Sequence, residues 1–293
     1  MARIAVIGPG AIGGIMAAWL GHTGEHEVVV CSRRALSELI VETPGETITA
    51  KVTVITDPAA APTVDWVLVA TKVYDSESAA RWFGGLRATG APVAVLQNGV
   101  EQREIFSQWV SADKIVPVLL YCPAERVEPT RMRQRRAARV DVPDDALGRA
   151  FAGLFAGTPV AVTPRVDFQT ALWRKIGVNV MGVLNGILLQ PAGVFADPQV
   201  AELARSLMRE CVAVGRVEGA SIEDSFLEEV LEIYRGNPPD SINSLHADCL
   251  AGRRTELDAR NGVIIRRGRA HGIPTPYNEM AVGLLTAMTA RRR

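Results

Sequence analysis

The sequence predicts an α/β domain built on a parallel sheet, followed by an all-helical domain. In the first half, short apolar runs rich in β-branched residues alternate with helix-like segments, a pattern that requires crossover helices between parallel strands. Beyond residue 164 helical periodicity dominates, and no convincing strand pattern remains. The length of 293 residues suits two domains. We therefore place them at residues 1–166 and 167–293.

The strands predicted for the first domain are short and apolar, and in chain order they are 3–7, 27–31, 51–55, 66–70 and 93–96. The crossover helices predicted between them are 11–20, with Gly21 as its stop, 76–83 and 100–110. Runs at 115–121 and 138–142 are expected to continue the far edge of the same sheet as antiparallel strands. An arginine-rich stretch at 131–139 resembles an exposed hairpin or edge strand, where charge discourages aggregation. A helix at 144–155 and a strand at 159–163 complete the domain.

The second domain is predicted to consist of long helices, at 168–189, 198–218, 222–234, 244–271 and 279–291. Composition excludes several classes of function. Lys plus Arg and Asp plus Glu both number 32, so the chain lacks the basic field of a general nucleic-acid binder. No run approaches the ~20 apolar residues of a membrane span. The 4 cysteines and 4 histidines show no metal-ligand spacing, so we expect reduced thiols, no metal site and a cytoplasmic location.

A glycine motif directly follows the first predicted strand. Gly8-Pro9-Gly10-Ala11-Ile12-Gly13 matches G-x-G-x-x-G and opens the first helix, which is the context of a Rossmann dinucleotide site. Gly8 permits the tight turn, Gly10 lets a pyrophosphate approach the backbone, and Gly13 allows close packing of the helix on the strand. The helix N-terminus then offers N–H groups to the phosphates. The alternative is a glycine-rich turn without a ligand.

The end of the second strand predicts which dinucleotide is bound. An NAD site carries Asp or Glu there to hold the ribose hydroxyls. This chain has Ser32, Arg33 and Arg34 instead, and a guanidinium binds a phosphate through paired, charge-assisted hydrogen bonds. The sequence therefore favours NADP(H), with Ser32 and Arg33 at the 2′-phosphate. Alternatively, the two arginines only cap a surface turn.

Candidate catalytic residues lie in the second domain. Lys175 and Asn179 are four residues apart on a predicted helix and so share a face. Apolar neighbours would desolvate the ammonium group and lower its pKa, making Lys175 a proton donor for reduction of a ketone. The other interpretation is a lysine whose stem covers apolar surface while its head stays in water. On spacing alone, that second interpretation is the stronger.

Other polar residues occur at the ends of predicted elements. Ser244 begins a helix, where it acts as a cap or helps to hold a substrate carboxylate. Glu256 is a solvated residue or an acidic partner of Lys175, and the sequence does not decide between them. Lys72 and Asn98 follow two strands, at the sheet edge where ligands bind, and would project toward the nicotinamide. Asn98-Gly99 is also a common turn dipeptide.

Together these stretches resemble the ketopantoate reductase family (2-dehydropantoate 2-reductases). The resemblance covers nearly the whole chain and rests on residues 8–13, 71–72, 96–99, 173–176, 179, 244, 253–258, 261–262 and 270–276. It implies NADPH-dependent reduction of 2-dehydropantoate to pantoate on the route to coenzyme A. It also implies a catalytic cleft between a Rossmann domain and a helical domain.

The resemblance further implies a role for each candidate. Lys175 would protonate the carbonyl oxygen, and Glu256 would contact that lysine and the nicotinamide. Ser244 would hold the substrate carboxylate and Asn179 its distal hydroxyl, while Lys72 and Asn98 would line the junction of cofactor and substrate. We expect a small 2-keto acid as the substrate, with neither nucleic acid nor membrane as a partner. A homodimer is left open.

The chain departs from the family pattern at two positions that concern the particular substrate. Family members that act on ketopantoate usually carry asparagine where this chain has Val183 and Ser241. Each lost polar contact costs about 1–3 kcal/mol. The alternatives are therefore a paralogous NADPH-dependent reductase of another 2-keto acid, or a non-catalytic NADP-binding regulatory protein.

Overall fold

The structure, a computed structural model, describes residues 1–86 and 90–290. The chain forms two compact units, Met1–Phe168 and Gln169–Arg293. The first unit contains parallel strands with helices, and the second consists of helices in all its described elements. The predicted fold class, a Rossmann-type α/β domain followed by a helical domain, is confirmed.

A six-stranded sheet in which every pair of neighbours is parallel organises the first unit. Its strands are β1 (Arg3–Ile7), β2 (Glu27–Cys31), β5 (Thr53–Ile55), β6 (Trp66–Val69), β7 (Val93–Val95) and β8 (Ile115–Pro117). They lie in the order β5-β2-β1-β6-β7-β8. Ile4 and Val6 of β1 pack into one apolar core, whereas Ala5 and Ile7 pack into a second. Both faces of this sheet are therefore covered, as a parallel sheet requires.

Helices of the first unit connect these strands. They are α1 (Ala11–His22), α2 (Ser76–Ala80), α3 (Phe83–Leu86) and α4 (Gln102–Phe106); a further helix, α5 (Ala146–Leu154), comes after all six strands in the chain. The predicted stop of α1 at Gly21 is wrong, because the helix continues to His22. A Cβ at Gly21 would lie 3.5 Å from the Cβ of Ala50, an ordinary contact distance, so this position does not require glycine for packing.

Two smaller sheets accompany the main one. The first has the order β10-β11-β3-β4 and is built from β3 (Leu39–Glu42), β4 (Thr47–Ala50), β10 (Ala124–Arg126) and β11 (Arg131–Gln134). The second has the order β13-β12-β9 and is built from β9 (Leu119–Tyr121), β12 (Arg139–Pro143) and β13 (Ala161–Arg165). The predicted antiparallel continuation of the main sheet is therefore wrong. Pro117 has no N–H to donate to a ladder, and the chain leaves the main sheet just after it, so that β9 pairs with β12.

The arginine-rich stretch is a hairpin, as predicted, but not an edge strand. β11 lies between β10 and β3 in its sheet. Met132 and Gln134 point into the core, and the indole Nε1 of Trp19 donates to Gln134 Oε1 over 2.9 Å. On the other face Arg131 and Arg133 both pair with Glu42, and their hydrogen bonds lower the pKa of that carboxyl group. Acidic residues of the same sheet thus balance the basic cluster.

The second unit is helical throughout its described elements. It contains α6 (Phe168–Val180), α7 (Gly182–Leu188), α8 (Pro198–Val217), α9 (Phe226–Gly236), α10 (Ser244–Leu250), α11 (Val263–Ala270), α12 (Pro276–Ala290) and a π-helical turn at Asp258–Gly262. The predicted helix 168–189 is interrupted at Met181. The predicted helix 244–271 is also divided, because Gly252 adopts a left-handed φ of +62° just after α10. Arg291, the predicted end of the last helix, lies outside the described residues.

A buried polar network fixes the π-helical turn within this unit. Asn261 donates to the carbonyl of Val180 over 3.2 Å and to Oδ1 of Asn278 over 2.9 Å. The carboxylate of Glu210 in turn accepts from the backbone N–H groups of Tyr277 and Asn278. The turn is therefore tied to α6, α8 and α12. No helix within residues 1–86 and 90–290 is long and apolar enough to cross a membrane.

Candidate active site

The glycine motif forms a tight loop between β1 and α1. Gly8 has a φ of +88°, and a Cβ there would lie 2.7 Å from Cγ2 of Thr71. A Cβ at Gly13 would lie 2.3 Å from the carbonyl oxygen of Gly8. Both positions therefore require glycine, one for its conformation and for the nearby strand end, the other for the approach of the helix to the loop.

Space for a ligand lies over the middle of this loop. A Cβ at Gly10 would meet no heavy atom within 4 Å. Gly10 is also the N-cap of α1, and no side chain caps the helix. The first N–H groups of α1 thus remain available to an anion. The loop formed by Gly8-Pro9-Gly10-Ala11-Ile12-Gly13 fits the pyrophosphate of a dinucleotide.

The end of β2 carries cationic side chains without a neighbouring acid. Ser32 follows the strand, and its Oγ accepts from the backbone N–H of Arg34 over 3.2 Å. Arg33 and Arg34 are exposed, and neither forms an ion pair with a residue in the described part of the chain. This arrangement suits a 2′-phosphate, because two guanidinium groups stand at the position where a carboxylate would select the free hydroxyl.

Lys72 and Asn98 lie on the loops that follow β6 and β7, and both are half-buried. One buried side chain, Gln97, holds these loops together. Its Nε2 donates to the Thr71 hydroxyl over 3.0 Å and to the Lys72 carbonyl over 3.2 Å, and its Oε1 accepts from Ser76. Gln97 belongs to the 96–99 stretch that carries the family resemblance, but we predicted no role for it from the sequence. A polar residue just beyond an apolar strand, at the ligand-binding edge of a sheet, was the signal that could have found it.

Lys175 and Asn179 lie one turn apart on α6, and both are half-buried. The helix is anchored by Trp173, which is fully buried, and by Arg174, which lies 4.2 Å from the ring centroid of Phe226 and pairs with Glu229. The side chain of Asn179 makes no hydrogen bond with the described residues. Its amide is therefore available to a ligand on the same face as the lysine.

Ser244 is the first residue of α10 but not its cap. Asn243 is the cap, and its Oδ1 accepts from the backbone N–H of His246 over 2.9 Å. The cap interpretation of Ser244 is therefore wrong. The exposed Ser244 hydroxyl instead accepts from Nη2 of Arg260 over 2.7 Å. Glu256 is 6% exposed, so its interpretation as a solvated residue is also wrong.

The two departures from the family pattern have different surroundings. Val183 is fully buried in α7. Ser241 donates through its Oγ to the carbonyl of Pro238 over 2.7 Å. The nearby Asn185 is 1% exposed and is used within the fold, where it donates to Gln190 and accepts from Asn243. Asn185 therefore does not replace the missing asparagine.

The first unit carries a dinucleotide loop, and the helical unit that follows it in the chain carries a lysine, an asparagine and a serine. Together these features define a nicotinamide-dependent oxidoreductase. Residues 4–146 match the family described as ketopantoate reductase PanE/ApbA, and residues 167–289 match its C-terminal domain. The chain belongs to this family. It is an oxidoreductase that acts on a CH–OH group with a nicotinamide cofactor, so the non-catalytic alternative is set aside.

Relatives resemble the chain over its full length. A 2-dehydropantoate 2-reductase from Caulobacter vibrioides is 49% identical over 98% of this chain and 99% of its own. The crystal structure of a PanE/ApbA family ketopantoate reductase from Ralstonia eutropha superposes with a TM-score of 0.91, at 29% identity over 99% of both chains. A ternary structure of D-mandelate dehydrogenase with NADH and anilino(oxo)acetate has the same fold, with a TM-score of 0.88 at 21% identity over 99% of both chains.

Proposed function

We propose that the protein reduces 2-dehydropantoate to pantoate with NADPH, in the biosynthesis of pantothenate and coenzyme A. The observation that carries this proposal is the similarity to the C. vibrioides reductase over nearly all of both chains. Lys175 and Asn179 share one face of α6, and Ser244 and Glu256 lie in the same unit. These four residues add the donors and the acidic partner that such a reduction needs.

The residues around the cofactor have separate roles in this proposal. The pyrophosphate is held by the loop Gly8-Pro9-Gly10-Ala11-Ile12-Gly13. The 2′-phosphate is held by Ser32 and Arg33. Lys72, Asn98 and Glu256 contact the nicotinamide end. When bound, the cofactor supplies the hydride that adds to the carbonyl carbon of the substrate.

The substrate is held and protonated by the second unit. Lys175 donates a proton to the carbonyl oxygen, where negative charge grows as the carbon is reduced. Ser244 holds the carboxylate, and the amide of Asn179 binds the distal hydroxyl. Buried Glu256 interacts with this lysine as its acidic partner. Lys175 and Glu256 are thus the proposed catalytic residues, and Asn98, Asn179 and Ser244 the proposed substrate-binding residues.

A second candidate is a paralogous reductase of another 2-keto acid. Buried Val183 and the internally bonded Ser241 favour it, because neither offers a polar group to a distal hydroxyl. At about 1–3 kcal/mol for each missing contact, the loss in affinity would be roughly 5- to 150-fold for each position.

A panel of 2-keto acids decides between the two candidates. NADPH oxidation is measured with 2-dehydropantoate, pyruvate, 2-ketoisovalerate and phenylglyoxylate, and each reaction is repeated with NADH. We expect kcat/KM to be highest for 2-dehydropantoate with NADPH, by at least tenfold. Turnover of 2-dehydropantoate no faster than that of pyruvate would exclude it as the substrate and favour the paralogous reductase.

A further inference from the structure

Arg260 is a buried cation without an acidic partner. It lies in the middle of the π-helical turn Asp258–Gly262 and is 4% exposed. Within residues 1–86 and 90–290, its guanidinium makes one hydrogen bond, from Nη2 to Ser244, and its buried Nε has no partner. No carboxylate of these residues lies within 4.0 Å of it.

Such an arrangement is costly unless an anion completes it. Moving a charged group out of water costs several kcal/mol, and the cost is recovered only by close pairing. Other arginines of the same segment have such partners, since Arg253 pairs with Asp248 and Arg266 with Asp258. Arg260 differs from them in both burial and pairing. Its missing counterion is therefore expected to be a ligand.

Two titratable residues on elements next to Arg260, Tyr234 and His246, are neutral near pH 7, and acidic residues of these elements pair with other arginines. Tyr234 of α9 donates its hydroxyl to the carbonyl of Val178 over 2.9 Å. Burial raises the pKa of Tyr234 to about 12, although the nearby charge of Arg260 acts in the opposite direction. His246 of α10 is 1% exposed, and burial lowers its pKa, which keeps the ring neutral near pH 7. An anion at Arg260 would thus meet the guanidinium, and the side chains of Tyr234 and His246 would add no opposing charge.

The hydroxyl of Ser244 marks where that anion would lie. Ser244 is exposed, whereas Arg260 lies behind it, 2.7 Å from the serine oxygen. A carboxylate oxygen bonded to the serine at about 2.7 Å would lie within about 5.5 Å of the same guanidinium nitrogen. A guanidinium fork also matches the two oxygens of a carboxylate.

We propose that Arg260 binds the carboxylate of the 2-keto acid substrate together with Ser244, and that it makes the enzyme selective for free 2-keto acids over their neutral esters. The assignment rests on the proposed function for its choice of substrate class. Arg260 is a binding residue here, and the proton transfer stays with Lys175.

The test compares Arg260→Met with the control Arg266→Met. Methionine replaces the buried charge by an apolar side chain, a change that is often neutral or stabilising when no ion partner is left behind. Arg266 is exposed and pairs with Asp258 on the same segment, so its variant removes an arginine outside the proposed site. Binding of oxamate, a non-reducible 2-keto acid mimic, to the NADP⁺-loaded protein is measured by calorimetry. Turnover is compared for 2-ketoisovalerate and its methyl ester.

For Arg260→Met we expect at least a tenfold loss of oxamate affinity and at least a tenfold fall in the acid-to-ester ratio of kcat/KM. The Tm of the unliganded protein should stay unchanged or rise, and NADP⁺ affinity should not change. Arg266→Met should keep the wild-type affinity and ratio. Oxamate affinity that is unchanged, or equal losses for acid and ester, would overturn the proposal.

Two further outcomes remain decisive. If Arg260→Met does not fold, Arg260→Lys is tested instead, because lysine keeps the charge but loses the paired N–H groups of the guanidinium. We expect it to lower the acid-to-ester ratio of kcat/KM by a smaller factor. An unchanged ratio overturns the proposal. If 2-dehydropantoate is not a substrate but oxamate binding depends on Arg260, the proposed substrate fails and the carboxylate site stands.

Discussion

The side-chain amide of Gln97 joins the ends of two neighbouring parallel strands, because its Nε2 donates to the hydroxyl of Thr71 over 3.0 Å. Thr71 follows β6, and Gln97 follows β7. The amide oxygen of the same side chain accepts from Ser76, so donor and acceptor are both satisfied although Gln97 is 4% exposed. One residue thus sets the relative positions of the loops that carry Lys72 and Asn98.

Replacing Gln97 by leucine should disturb both stability and cofactor use. The hydroxyls of Thr71 and Ser76 lose a partner in a buried setting, which costs about 1–3 kcal/mol of unfolding free energy. We also expect a higher KM for NADPH, because the loop that bears Lys72 is released. Urea unfolding and steady-state kinetics measure the two effects. Gln108→Leu, at an exposed glutamine of the same unit, is the control and should stay within about 0.5 kcal/mol of wild type.

Replacing Arg33 by alanine should lower the affinity for NADPH but not for NADH. A hydrogen bond to a charged group contributes about 1.5–3 kcal/mol, which corresponds to a rise of roughly 10- to 150-fold in the KM for NADPH. Arg34→Ala, measured alongside, identifies the main contact as the variant with the larger effect. If the KM values for NADPH and NADH change equally in both variants, neither arginine binds the 2′-phosphate.

Features that depend on local pattern could be predicted from the sequence. β1 and β2 have the predicted bounds, since each is one charged residue followed by four apolar residues that are buried in a parallel sheet. The glycine loop was also foreseeable, because a tight turn and a close approach leave little choice but glycine. The hairpin of β3 and β4 was missed. Its pairing partner β11 comes about 90 residues later in the chain, a contact that no local pattern specifies.

Burial and pairing explain most of what the sequence did not reveal about the candidate site. In the sequence, Arg260 is one arginine among several between residues 253 and 269. Only the fold separates it, by burying it behind Ser244. The interruption at Met181 was also invisible, because apolar residues continue on both sides of it.

Replacing Lys175 by methionine should abolish most turnover while leaving cofactor binding intact. A positioned general acid contributes roughly 10²- to 10⁴-fold to the rate, and methionine keeps the length of the side chain without its proton. Turnover is measured with the best 2-keto acid, and NADPH affinity by fluorescence titration. Arg174→Met is the control on the same helix. It loses an ion pair and a ring contact, so it should be slightly less stable but still active. A Lys175→Met enzyme with wild-type kcat would refute the assignment.

Replacing His246 by leucine should make the protein less sensitive to mild acid. Both ring nitrogens of His246 are buried and have no hydrogen-bond partner among the described residues. Burial lowers the pKa of the folded protein's ring below the ordinary value of 6.5. As pH falls through about 6.5, the unfolded chain therefore takes up a proton before the folded protein does, and stability falls. The loss is absent well above pH 6.5 and complete once the pH lies below the folded pKa.

Urea unfolding of wild type and His246→Leu at pH 8.0, 6.5 and 5.0 tests whether protonation of His246 lowers the stability of the folded protein in mild acid. The wild-type midpoint should fall more steeply toward pH 5.0 than that of the variant, because leucine binds no proton in either state. At pH 8.0 the ring is neutral in both states, so that comparison isolates the packing effect of the substitution. There we expect the variant to be at least as stable as wild type, since an apolar side chain leaves no buried nitrogen without a partner. Parallel pH profiles for the two proteins would show that His246 does not titrate on unfolding.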